Sequence, residues 1–139
     1  MKAGPRFLRR REVMAIHADQ IRRFGGSQGT ADHQLLEAAL VIPRAMACEG
    51  ILGNSDLHEL AATYLYHMVL TPPFADGNRR TGTVAALVFM HLNGHACHAP
   101  QDELIGLVQA IAWGTCSRTE VAAFLRRWDQ PSDDDILMN

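Results

Sequence analysis

Apolar residues recur along this chain at helical intervals, and most runs stop at glycine, proline or an Asn-Gly pair. Val13, Ile16, Ile21 and Phe24 predict a first helix, closed by Gly25-Gly26. Leu35, Leu36, Ala39 and Leu40 predict a second. Pro43 is expected to interrupt it, because proline supplies no backbone N–H, leaving a short continuation over 44–48 and a loop over 50–55. The clearest stripe is Leu57, Leu60, Ala61, Tyr64, Leu65 and Met68. Asp56 reads as its N-cap, and Glu59, three residues on, completes a capping-box pattern. Thr71-Pro72-Pro73 must stop that helix. A fourth helix over about 78–92 contains VAALVFM, apolar on nearly all sides, which predicts the buried central helix. Leu104, Leu107, Val108 and Ile111 mark a fifth over about 102–113. SRTE, 117–120, is a second capping-box pattern, opening a sixth helix with Val121, Phe124, Leu125 and Trp128 on one face. No run alternates convincingly as a strand, and there is no internal repeat. The expectation is an all-α bundle of about six helices forming one domain over 1–130. A flexible acidic tail follows over 131–139.

Composition narrows the function classes. Hydrophobic residues make up 47% of the 139, enough for a real core, while aromatics at 6% favour packed helices over strands. A net charge of −2 provides no basic field for nucleic acid. The early arginines Arg6, Arg9, Arg10 and Arg11 read as a solvated face, so no direct nucleic-acid binding is expected. Cys48, Cys97 and Cys116 form no CxxC pair and read as reduced thiols of a cytoplasmic protein. The chain opens with no signal-peptide-like run, and Val84–Met90 is far too short to span a bilayer.

The chemistry concentrates in LTPPFADGNRRTG, 70–82. Gly77-Asn78 begins the apolar fourth helix. The first turn of a helix has backbone N–H groups without partners and partial positive charge, so this is an anion site before any side chain is counted. Gly77 admits close approach of a ligand to the backbone. Asn78 can orient a phosphate or cap the turn. Arg80 can grip phosphate oxygens with its planar fork, and Arg79 adds charge. Asp76 is placed to hold Mg²⁺, which takes a carboxylate together with substrate oxygens. Phe74 reads as a buried peg that pins the loop. Taken alone, the same residues also suit a capped turn with solvated arginines.

The stretch resembles the Fic/Doc family, in its death-on-curing (Doc) branch. That family's motif is H-x-F-x-[D/E]-[G/A]-N-x-R, and Pro72 to Arg80 reads PPFADGNRR, matching every signature position but the first. FGGSQGTADHQLLEAAL, 24–40, and the helices flanking the motif extend the likeness over roughly 6–128. The resemblance implies a toxin that uses ATP and Mg²⁺ to phosphorylate a threonine of elongation factor Tu, neutralised by a Phd-type antitoxin. It assigns Asp76 to the metal, Gly77, Asn78, Arg79 and Arg80 to the phosphates, and Phe74 to anchoring the loop. Fic enzymes that transfer AMP carry a further arginine, and here that position is Thr83.

The histidine that the motif uses as general base falls at position 72, which is proline. Proline has no titratable group, and losing a general base typically costs about 10²–10⁴-fold in rate. The histidines at 17, 33, 58, 67, 91, 95 and 98 are expected to be structural or solvated rather than substitutes. The chain is therefore expected to be an inactive or strongly impaired phosphotransferase. The alternatives are a non-catalytic module binding antitoxin or nucleotide, and AMP transfer of the Fic type. Pro72 itself is either a natural degeneration or a selected or engineered single-codon inactivation, and the intact remainder of the motif favours the second.

Overall fold

The computed structural model describes residues 4–48 and 56–131. The expected loop over 50–55 and the acidic tail from 132 lie outside these residues. Six helices are present among them: α1 (Arg10–Phe24), α2 (His33–Cys48), α3 (Leu57–Leu70), α4 (Asn78–Leu92), α5 (Gln101–Ala112) and α6 (Arg118–Arg127). The all-α expectation holds, and α4 has the bounds the sequence suggested.

The core is built around α3 and α4. On α3, Leu60 through Leu65 and Met68 are all buried. α4 turns Thr81, Gly82, Ala85, Ala86, Phe89 and Met90 inward. Its small residues let the two helices approach closely. A Cβ on Gly82 would lie 3.0 Å from Met68 Cβ and 3.5 Å from the Leu65 carbonyl oxygen. α6 closes the other flank of α3 with Val121, Ala122 and Leu125.

Capping follows the sequence where side chains are short. Asp56 accepts from the N–H groups of His58 and Glu59 at 2.9 and 3.2 Å. The reciprocal half of that box is absent. The Glu59 carboxylate instead lies 3.7 Å from Arg118 of α6, drawn to a charge across the helix pair. At α6 the box is complete, with Ser117 and Glu120 exchanging bonds with each other's backbone.

Two expectations are corrected. α2 is one helix through Pro43, not two pieces. Leu36, Ala39, Leu40, Pro43 and Met46 all bury on one side, so packing on both flanks of the proline offsets the lost hydrogen bond. The chain also has strands: β1 (His95–Cys97) pairs antiparallel with β2 (Asp129–Pro131), Cys97 opposite Asp129. Three residues each are too few to show alternation. No helix among the described residues is long and apolar enough to cross a membrane.

The segment before α1 is tied down at two points. Asn93 accepts from the Arg6 N–H at 2.8 Å and donates to the Arg6 carbonyl at 3.0 Å. The Tyr64 hydroxyl accepts from the buried Leu8 N–H at 3.1 Å. Burial pushes the Tyr64 phenol up to about 12 from its ordinary 10. Between those values the unfolded chain has lost the proton and the folded chain keeps it. This contribution to stability is therefore full below pH 10 and is lost as pH rises towards 12. Stability is expected to fall by roughly 2–3 kcal/mol over that window. Urea titrations from pH 9 to 12 should show this decline, and Tyr64→Phe should flatten it while losing about 1–2 kcal/mol at neutral pH.

Candidate active site

The link from α3 to α4 is a fixed loop, held from three directions. From the side of α2, the N–H groups of Ala31 and Asp32 both donate to the Pro73 carbonyl at 3.0 Å, and the Ala75 N–H donates to the Gly29 carbonyl at 3.2 Å. The Asp32 carboxylate meanwhile caps α2 by accepting from Gln34 and Leu35. From α4, the Asn78 amide clasps Phe74, its Oδ1 accepting the Phe74 N–H at 2.9 Å and its Nδ2 donating to the Phe74 carbonyl at 3.0 Å. From α1, the buried His17 stacks on the Phe74 ring, centroids 3.8 Å apart and planes within 6°. His17 Nε2 lies 2.9 Å from the Asp76 carbonyl. A carbonyl only accepts, so that nitrogen carries the proton and is no base. Phe74, 4% exposed, is the peg the sequence suggested.

His17 was missed as part of this support. Its one sequence signal is its place beside Val13, Gln20 and Ile21 on the buried face of α1.

Beyond the peg the chain turns into α4 through Gly77, at φ 73°. The Gly77 N–H donates to Asp76 Oδ1 at 2.9 Å. The Ser27 N–H points at Asp76 Oδ2, 3.3 Å away. These bonds aim the carboxylate and leave oxygen lone pairs for a cation. A Cβ at Gly26 would sit 2.7 Å from Asp76 Oδ2, so the Gly-rich turn is shaped to the carboxylate. Among the described residues, the N–H groups of Asn78, Arg79 and Arg80 have no acceptor, as expected for the first turn of a helix.

These groups converge on an open cavity of about 500 Å³, lined by Val69, Pro72, Ala75, Asp76, Gly77, Asn78, Arg79 and Arg80. It brings together the sequence-proposed residues, with Phe74 buried behind them. Arg80 is not free: its Nη2 donates to the Gly25 carbonyl at 2.9 Å, and its guanidinium lies 5.4 Å from the Phe24 ring centroid. Arg80 also borders a second, more apolar cavity of about 460 Å³, shared with Phe24, Thr83, Val84, Leu104, Ile105 and Val108. A polyphosphate held at the first cavity would have an apolar recess beside it.

Pro72 is exposed at the cavity edge, and no histidine lines the cavity. His67, upstream on α3, does not line the cavity. Its pKa is lowered by partial burial and then by the charge of Arg118.

The donor set suits a magnesium nucleotide. One aimed carboxylate, free amide N–H groups and the exposed Arg79 are what a bound metal and its phosphates require. The two cavities adjoin at Arg79 and Arg80.

Residues 7–90 match the model of the family described as Fic/DOC. Among curated proteins, "Protein kinase doc" of Escherichia phage P1 is 36% identical over 116 residues, covering 84% of this chain and 90% of that protein. "Toxin Doc" of Mycolicibacterium smegmatis is 33% identical over 104 residues, covering 73% and 79% respectively.

Proposed function

The chain belongs to the Fic/Doc family, and on that premise we propose that it is a Doc-like toxin whose phosphotransferase site is disarmed at Pro72. The observation that carries this is one cavity holding Asp76, Asn78, Arg79 and Arg80 with proline at its edge. The relatives named as a kinase and a toxin support the class.

The proposed roles follow from the positions. Asp76 would hold Mg²⁺, and the α4 N-terminus with Arg79 would hold the phosphates of ATP. Bound there, the metal would neutralise charge developing on the phosphates. Arg80 would leave Gly25 for a phosphate oxygen, or hold the Gly-rich turn against the site. Asn78 and His17 would position the loop without touching the nucleotide. The acceptor is a hydroxyl on a translation factor, elongation factor Tu in the reading the family suggests. A Phd-type antitoxin is the proposed partner, and the cytoplasm the proposed compartment.

As the chain stands, nothing at position 72 can take the acceptor's proton. Binding of Mg·ATP is expected to survive, while transfer is weak or absent. Titration calorimetry of the unaltered chain with ATP checks the first half. Binding should require Mg²⁺, and Asp76→Asn should weaken it about tenfold or more, the equivalent of one lost charge-assisted contact. Equal affinity with and without the metal would rule out this role for Asp76. The function is tested by restoring the base in Pro72→His and following the α- and γ-phosphates of labelled ATP. Transfer of the γ-label to a protein supports phosphorylation, whereas α-label would point to AMP transfer despite Thr83. A module that only binds antitoxin or nucleotide transfers neither.

A further inference from the structure

Three residues from distant parts of the chain meet near the start of α3. Asp129 of β2 lies between His58 and His95, its Oδ2 2.7 Å from His58 Nε2 and 2.6 Å from His95 Nδ1. The ligand-capable atoms of all three lie within 4.8 Å of one another. The Asp129 side chain is 11% exposed and that of His58 14%. Asp129 Oδ1 is buried with no hydrogen-bond partner among the described residues. An acceptor so placed costs free energy unless something meets it.

We propose that His58, His95 and Asp129 form a binding site for a divalent transition-metal ion, with Zn²⁺ the best match. Two imidazoles and a carboxylate are a borderline donor set that zinc takes readily and Mg²⁺ does not. Tetrahedral zinc with bonds of about 2.0–2.1 Å needs ligand atoms roughly 3.3 Å apart. The contacts at 2.6 and 2.7 Å therefore need to open by only about 0.6–0.7 Å, within side-chain adjustment.

The surroundings also fit. Asp56 Oδ1 lies 3.7 Å from His58 Nδ1, on the side of the ring away from Asp129. That distance is too long for a hydrogen bond in this structure, where Nε2 carries the proton towards Asp129, but it sets a carboxylate beside Nδ1 to receive the proton once Nε2 ligates. A carboxylate behind a ligating histidine is a frequent feature of zinc sites. Arg126 holds Asp56 in place through a 2.6 Å ion pair. On binding, each imidazole gives up the proton it directs at Oδ2, by tautomer shift or release to water. Asp129 Oδ1 then has a partner in a metal-bound water at the fourth position.

This site is separate from the phosphate loop. His58 lies in the first turn of α3, and Pro72 lies beyond its last, so the helix of ~20 Å runs between them. The metal would staple β1 and β2 to the start of α3, fixing the last described strand to the bundle.

The test uses the full chain, stripped with a chelator and titrated with Zn²⁺ alone. One equivalent should bind, raising the thermal midpoint by roughly 5–10 °C at about 100-fold excess over Kd. Co²⁺ in its place should give the visible bands of a tetrahedral site. His95→Gln and Asp129→Asn should abolish both effects while circular dichroism stays helical. His95 is the most exposed of the three, so its variant tests the site even if Asp129→Asn disturbs folding. Absence of binding by the unaltered chain overturns the proposal, and so does binding that survives both substitutions. The first result would leave the cluster as a hydrogen-bonded latch.

Discussion

Replacing Pro72 by histidine is expected to raise phosphoryl transfer by about 10²–10⁴-fold and to arrest growth on induction. The expectation rests on how little else the site lacks. Pro72 lines the same cavity as Asp76 and Arg79, so a side chain there reaches where an acceptor hydroxyl would lie. The loop's course does not depend on the proline. Its backbone is held at Pro73 and Ala75 by the 29–32 turn, and at Phe74 by Asn78. The amide N–H that histidine restores would face solvent, since residue 72 is exposed, and needs no internal partner. Histidine's unperturbed pKa is near neutrality, which suits a general base. The readout is growth after induction of parent and variant side by side, with γ-labelled ATP followed in lysate. Arrest and labelling by the variant alone are the expected result. If Pro72→His binds Mg·ATP as the parent does yet neither labels nor arrests, the lesion is deeper than one residue. The binding-module reading then gains.

What the sequence conveyed and what it withheld divide by contact range. The proposed site residues lie within 72–80, so spacing alone puts them on one loop and one helix end. α4 was bounded correctly because Gly77 and Asn93-Gly94 punctuate it. The long-range contacts were not readable. His17 meets Asp76 from 59 residues away, and the bond between His58 and Asp129 spans 71. Neither has a local pattern; both exist because α1 and β2 pack where they do. Pro43 failed as a helix stop for the same reason, since tertiary burial outweighed local preference. Glu59 failed as half a capping box because a charge on another helix competed for it. Asn78 shows the limit within the motif itself. Its type and place suggested either a contact with phosphate or a cap on the turn, and its amide is engaged with the Phe74 N–H and carbonyl.

That engagement leads to the second large effect, in which Asn78→Ala should destabilise the fold by roughly 2–4 kcal/mol. The Phe74 N–H and carbonyl are each left without their present partner, in a residue whose side chain is almost wholly buried. Unpaired buried backbone groups cost about 1–3 kcal/mol each, and alanine offers nothing in return. The thermal midpoint should fall by roughly 8–15 °C in a chain of this size. Denaturant titration should show a lower midpoint with an unchanged slope, as expected when stability changes and compactness does not. Asn78→Asp discriminates structure from chemistry. It keeps an acceptor for the Phe74 N–H, loses the donor to the carbonyl, and sets a negative charge at the α4 N-terminus, where the helix dipole favours it. Its stability should therefore lie between those of the parent and the alanine variant. Mg·ATP affinity is compared only between the parent and Asn78→Ala, because the charge of Asp repels phosphates at the α4 N-terminus whatever the asparagine did. If instead Asn78→Ala leaves the midpoint untouched while removing nucleotide binding, the clasp on Phe74 is incidental and the side chain acts on the ligand directly.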